Sequence, residues 1–431
     1  MTQLGGTGGS GSVSADWVLP VDGPPIENGV VRFENGRVAE VRTGRGERHY
    51  ADAVIVPGFV NAHSHLEYAN YAGFGDGLDF GSWIGLHMER KGRLSPADML
   101  AIARLGALDS LRSGITTTAD YSFSGAAASA ADELGLRATV YLEVFARAPE
   151  EAERQWLAKR ELVSESGLVT VGVSPHAPYS CTVDVYEWCL SLGVPVGTHL
   201  AESAHEEAWL EHGAGPLRDS PIAVPPTGKR PVQTLEPVLG PDLLCAHCVR
   251  LDEADIELLA ARDVPVAHCP RSNALLGCGI APLSALRAAG VRVGLGTDSP
   301  ASTPSFDVFA EMRAAVSLAR ARERDAGALS AEAALRLATI DAAGALQPHA
   351  NVGTLAPGNL ADLAVVSLTE SPYDPVEDPA AAVVFGGSPE RVLETIVNGT
   401  TRYRKEDDED TWQEVRSIAS AARRRMLAAA P

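Results

Sequence analysis

Val56-Pro57-Gly58-Phe59-Val60-Asn61-Ala62-His63-Ser64-His65 starts as an apolar, β-branched run and ends on two imidazoles two positions apart. Alternate side chains of a strand point to the same face, so His63 and His65 can reach one ion together. Imidazole nitrogen is a good ligand for zinc and for iron, and two ligands fixed on one strand lower the cost of ordering a third and a fourth. An HxH pair alone is a weak signal; its place in a longer pattern gives it weight.

Downstream of this run, short apolar stretches alternate with Ala/Leu/Arg-rich helical segments such as 95–113, 251–262 and 330–346, the texture of repeated βα units. Strands are expected at 58–64, 114–121, 138–144, 169–175, 195–200, 243–248, 265–269 and 292–297. Eight such units predict an α/β fold, a closed (β/α)8 TIM barrel over residues 58–351. A polar residue follows each strand: His63 with His65, Asp120, Glu143, His176, His199, His247, His268 and Asp298. Chemistry in such barrels sits at the C-terminal ends of the strands, where residues far apart in sequence share one mouth.

The flanks read differently. Residues 1–14 are Gly/Ser-rich and predict a disordered tail. Residues 15–57 show short alternating strands with turns expected at Glu27-Asn28-Gly29 and Glu34-Asn35-Gly36. The same texture returns at 353–368 and 392–404, so 15–57 and 352–405 together predict a small β-sandwich built from both ends of the chain. The tail, 406–431, opens on an acidic run and predicts a solvated C-terminal helix.

With 431 residues and 45% apolar composition, the chain can bury a large core. A formal charge of −20 argues against nucleic acid or an anionic membrane surface as partner and leaves a small molecule as the expected ligand. No run of 18 apolar residues and no signal-like N-terminal pattern occurs, which predicts a soluble cytoplasmic protein. The six cysteines crowd into the middle of the chain and fit reduced core thiols.

Two further residues join the histidine pair. His199 ends the fifth expected strand, and Asp298 directly follows the apolar run 291–295, where a carboxylate is costly to bury unless it is paired, hydrogen-bonded or bound to a metal. Three imidazoles and one carboxylate leave a coordination position for water, whose pKa a metal lowers towards 7.

Taken together, PGFVNAHSHLE, SPHAPYSC, THLAES, CAHC, GTDSP and GTLAPGNLADL span nearly the whole chain. In that order they resemble the amidohydrolase superfamily, in particular its adenosine-type and cytosine-type deaminase branch. The resemblance implies one divalent metal ion, Zn2+ or Fe2+ with zinc expected, on His63, His65, His199 and Asp298. It also implies Glu202 as proton shuttle, His247 orienting the attacking water, and His176 touching the substrate. Two-metal members commonly bridge their ions with a carboxylated lysine at the end of strand four. Here that strand, Val169 to His176, has none, and only Lys91, Lys159, Lys229 and Lys405 exist, so a mononuclear site is expected. The implied reaction is hydrolytic loss of ammonia from C6 of an aminopurine, with Asp298 and His247 taking the proton of water and Glu202 protonating N1. The branch's habit also implies a homodimer.

Around the mouth, Leu66-Glu67-Tyr68 and Phe80-Gly81-Ser82-Trp83 resemble the aminodeoxyfutalosine deaminases of menaquinone synthesis, which implies Glu67 and Trp83 as substrate contacts. Adenosylhomocysteine and methylthioadenosine deaminases share the Trp but carry a ribose-binding Glu nine residues later, where this chain has Gly92. Arg271, in the loop after strand seven, is expected to bind a substrate carboxylate with two hydrogen bonds. The alternatives are an adenosylhomocysteine, methylthioadenosine or adenosine deaminase, a guanine or cytosine deaminase, a chlorohydrolase, or a barrel without catalysis. His65-Leu66-Glu67 with Cys245-Ala246-His247-Cys248 superficially resembles the zinc signature of cytidine-type deaminases, but Leu244 replaces its proline.

Overall fold

The computed structural model describes residues 8–346 and 351–428. The first seven residues of the expected tail, the expected end of the barrel near 350 and the last three residues of the expected terminal helix lie outside them.

A seven-stranded sheet forms from the two ends of the chain, in the order β15-β14-β13-β4-β1-β2-β3. Its N-terminal strands are β1 (Gly11–Val18), β2 (Ile26–Glu34), β3 (Arg37–Thr43) and β4 (Arg48–Pro57). Residues 11–14, expected to be tail, are therefore paired strand, with Val13 buried against Val31. The β2–β3 hairpin turns on Asn35 (φ 51°) and Gly36 (φ 76°), a two-residue loop with both residues left-handed, as the twist of a hairpin favours. The other expected turn is not one: Asn28 and Gly29 lie inside β2, where Gly29 pairs with both Ala15 and Thr43.

Eight parallel strands then make the barrel: β5 (Phe59–Ser64), β6 (Ile115–Ser122), β7 (Arg137–Val144), β8 (Val169–Pro175), β9 (Val196–Leu200), β10 (Leu243–His247), β11 (Val266–His268) and β12 (Val293–Leu295). Val60, Ala62, Ala119, Tyr121, Tyr141, Ala246 and Ala267 fill its interior. The seam between the last strand and the first closes through side chains as well as backbone. Asn61 Nδ2 donates to Thr297 Oγ1 (2.8 Å), Thr297 N to Asn61 Oδ1 (2.9 Å), and Asp298 N to the His63 carbonyl (2.9 Å). Gly296 is required there, because a Cβ would stand 2.7 Å from that of His63.

The chain returns to the terminal sheet as β13 (Leu363–Ser367), β14 (Val392–Val397) and β15 (Thr400–Arg404). Arg137, at the start of β7, joins sheet to barrel through two hydrogen bonds to Asp362 (3.0 and 3.1 Å), both side chains being buried. The helix expected over 330–346 is two, Ala331–Leu337 and Ile340–Leu346. It breaks at Ala338, whose carbonyl accepts from Val60 N at the foot of β5. The C-terminal helix, Lys405–Leu427, packs on α2 (Pro96–Arg112), where Trp412 Nε1 donates to Asp109 (2.6 Å) and Arg425 pairs with Asp98. It also braces the segment before α2, since Asn70 Nδ2 donates to the Ala419 carbonyl (2.7 Å) and Arg423 to that of Ala72 (2.8 Å). That segment carries α1 (Phe80–Lys91), which covers the barrel mouth. Among the described residues, no helix is long and apolar enough to cross a membrane.

Candidate active site

A cavity of about 350 Å³ opens at the C-terminal ends of the strands, with His65, His199, His247, Glu202 and Asp298 at its floor. The β5 alternation brings His63 and His65 in together, their rings 4.9 Å apart and both buried. His65 Nδ1 donates to the Tyr121 carbonyl (2.8 Å) and His199 Nδ1 to that of His176 (2.7 Å), which leaves Nε2 of each ring free of a proton. Those two Nε2 atoms are 3.3 Å apart, and both Nε2 of His63 and Nε2 of His65 lie 3.5 Å from Asp298 Oδ1. Asp298 Oδ2 accepts from Ser272 Oγ (2.5 Å) and Ser302 Oγ (2.8 Å), so only Oδ1 faces the imidazoles.

Burial lowers all three imidazoles, His199 to about 4, so they are neutral donors. Burial alone would raise Asp298, but the surrounding imidazoles of His63, His247 and His65 hold it well below the usual carboxylate range. Apart from the approach of Nε2 to Asp298, the ring nitrogens of His63 have no hydrogen-bond partner among the described residues. Neutral imidazoles and one carboxylate oxygen converging on a point fit a divalent cation of the zinc or iron type. Glu143, His176 and His199 also bring ligand atoms within 4.8 Å of one another. With its Nδ1 engaged, however, His199 has one nitrogen to give, so that set competes with the first for the same atom.

Glu202 and His247 stand beside this cluster, His247 Nε2 lying 3.9 Å from Glu202 Oε1. His247 Nδ1 donates to Asn273 Oδ1 (3.0 Å), which fixes the ring, and burial lowers it to about 4. Left-handed backbone aims the strand ends inward: φ is 51° at Ala201, 75° at His247 and 56° at Asp298. Burial raises Glu202 well above the carboxylate range, and the Asp298 and Glu206 carboxylates add to it. Glu206 was not foreseen. Its carboxylate accepts from Glu202 N (2.7 Å) and Ala201 N (3.2 Å) and holds the strand end in shape. The Ser203-x-x-Glu206 spacing of a helix start was its visible signal.

Of the four expected substrate contacts, two line the cavity. Trp83 stands in its wall on α1, and His176 lies against Phe145, centroids 4.5 Å apart, with Nδ1 2.9 Å from Ser180 Oγ. Glu67 does not: its buried carboxylate accepts from Ser122 and Ser124 Oγ and from Ser124 N (2.9 Å), behind the cavity wall. Arg271 does not either. Its guanidinium donates to the Ser305 and Asp307 carbonyls and pairs with buried Glu311 (3.3 Å). The short helix Pro270–Leu275 turns Ser272 and Asn273 to the site, and one helical step rotates Arg271 away from it. Missing from the expectation are Tyr68, His87, Lys91, Phe123, Glu143 and Phe145, all in the cavity wall.

The amidohydrolase family profile matches residues 54–402. A 5-methylthioadenosine/S-adenosylhomocysteine deaminase of Syntrophobacter fumaroxidans is 35% identical over 407 residues, covering 88% of this chain and 89% of its own. A 5'-deoxyadenosine deaminase of Methanococcoides burtonii is 32% identical, covering 87% of each chain. Among solved structures, an adenosine deaminase of Xanthomonas campestris with bound zinc superposes with a TM-score of 0.86 at 26% identity, over 96% of this chain and 98% of its own. Barrel and terminal sheet agree with these matches, and the chain belongs to the amidohydrolase family.

Proposed function

We propose that the protein is a hydrolytic deaminase of a 6-aminopurine nucleoside, with 6-amino-6-deoxyfutalosine as the preferred substrate. The observation that carries the reaction class is the buried Glu202 carboxyl beside His247 and the His63/His65/His199/Asp298 cluster. His63, His65, His199 and Asp298 would hold a single divalent ion, taken as zinc, which when bound would supply the Lewis acidity that makes water a nucleophile near neutral pH. Asp298 and His247 take up the proton of the attacking water. Glu202, whose protonated form is favoured by burial next to other carboxylates, gives its proton to the ring nitrogen adjoining the reacting carbon. The proton taken from water then passes to the exocyclic amine, and the adduct collapses to ammonia and the 6-oxo product as its hydroxyl proton returns to Glu202. Trp83 and His176 hold the nucleoside from the cavity wall.

The finer substrate reading is supported by position 92. It lies in the cavity wall and is glycine, so the carboxylate expected there in an adenosylhomocysteine deaminase is missing. Glu89, the one acid on α1, is exposed and paired with Arg93. A second reading, deamination of methylthioadenosine or S-adenosylhomocysteine, is favoured by the name of the 35% identical relative, while that of the 32% identical one favours 5'-deoxyadenosine. The test is ammonia release from a panel of aminopurine nucleosides and bases, with metal analysis of the same sample. Turnover highest on aminodeoxyfutalosine, with one ion per chain, is the expected result. Preference for the thioether nucleosides would install the second reading, and ammonia from none would end both.

A further inference from the structure

Only four lysines occur in a chain of net charge −20, and two of them meet at one ring of the cavity wall. The Lys91 ammonium sits 3.8 Å from the centroid of Phe123 and 4.5 Å from that of Tyr68; Lys159 Nζ lies 5.0 Å from Phe123. Their situations differ. Lys159 donates to the Glu143 backbone carbonyl (2.5 Å) and does not line the cavity. Lys91 lines it, and among the described residues no carboxylate forms an ion pair with it; Glu143 and Glu67 act on it only across space. A half-buried ammonium over two aromatic faces, without an ion-pair partner, is an incomplete site for an anion.

The path from the hydrolytic centre to Lys91 is paved with rings. His199 and His176 have centroids 4.8 Å apart, His176 and Phe145 4.5 Å, and Phe145 and Phe123 6.3 Å, with Lys91 over the last. A flat apolar group fits against such a wall, and a charge at its far end meets the ammonium. With the second lysine engaged and no arginine in the lining, one cation is available, which matches a monoanion better than a phosphate dianion.

We propose that Lys91 is a specificity-determining residue of this cavity. Its ammonium receives a carboxylate carried on a flat apolar substituent remote from the amino group that is hydrolysed. The inference rests on the deaminase reading above and fills the place that Arg271 does not occupy.

A matched pair of probes tests it: adenosine carrying a 5'-linked 3-carboxyphenyl tail, and the methyl ester of the same compound. A charge-assisted hydrogen bond contributes about 1.5–3 kcal/mol, or roughly 10- to 100-fold. In the wild-type enzyme kcat/KM for the acid should exceed that for the ester by about tenfold or more. Lys91→Met should bring the ratio close to one, and Lys91→Arg, which keeps the cation, should retain most of it. A wild-type ratio near one overturns the proposal, as does a ratio unchanged in Lys91→Met, the result expected if Lys91 only offsets the charge of Glu143. Calorimetric binding of both probes to metal-loaded Glu202→Gln protein, with and without Lys91→Met, reads the same preference without turnover. Absence of ammonia from every aminopurine nucleoside would sink the deaminase reading, whereas equal binding of acid and ester would sink the Lys91 inference alone.

Discussion

Glu202 is kept well above the ordinary carboxylate range by burial and by the charges of Asp298 and Glu206, which favours its protonated form. Glutamine preserves the shape and removes the proton. Glu202→Gln should keep its metal, measured by elemental analysis, and lose about 10²- to 10⁴-fold in kcat on whichever nucleoside the wild type prefers. Retained activity would remove Glu202 from the reaction. At this scale the strand-end histidines and Asp298 were legible in the sequence, while of the expected contacts borne on helices Trp83 faces the cavity and Arg271 does not. His63, His65, His199, His247 and Asp298 end strands, and a strand end in a closed barrel has one place to point. Arg271 stood in the right segment, but a single helical step decides between the site and Glu311, and that rotation is set by packing. Lys91 sits at the last turn of α1, where it looks like an ordinary helix-terminal cation until the helix is seen lying across the mouth.

The elements over the mouth hold their place through the C-terminal helix. Trp412 donates its indole N–H to Asp109, whose carboxyl burial raises to about 6, with Trp412 and the nearby arginines pulling it back. The folded-state value lies above the ordinary 3.8. The stability that belongs to the neutral carboxyl is therefore fully present below about 3.8 and is lost as pH climbs through 6. Trp412→Phe removes the donor and leaves the buried carboxylate unsatisfied, at a cost of about 1–3 kcal/mol. Denaturant unfolding should show the larger loss at pH 7.5 and the smaller at pH 5; an equal loss at both would mean that packing of the ring alone matters. The eight barrel strands follow the apolar runs within a few residues, because a strand buried on both faces must be continuously apolar. The split of the helix at Ala338 was not legible, since its cause is a hydrogen bond to Val60, far away in the chain.

For the whole molecule, an ion held by the proposed ligands would be thermodynamically linked to the fold. A ligand present at 100 times its Kd stabilises the state that binds it by about 2.7 kcal/mol. Dialysis against a chelator should therefore lower the melting temperature and abolish ammonia release, and zinc or iron added back should restore both. An unchanged melting temperature after verified metal loss would show that the cluster contributes nothing to stability. The barrel's closing seam gives this linkage an order in time. Asn61 and Thr297, which clasp across it, are 236 residues apart, and the ion's ligands lie on both sides. A nascent chain on the ribosome carries His63 and His65 long before Asp298 emerges, so it cannot yet hold the ion in its final geometry. With the proposed ligand set, loading would wait until Asp298 has emerged, and a retained ion would mark a polypeptide whose first and eighth barrel strands have met.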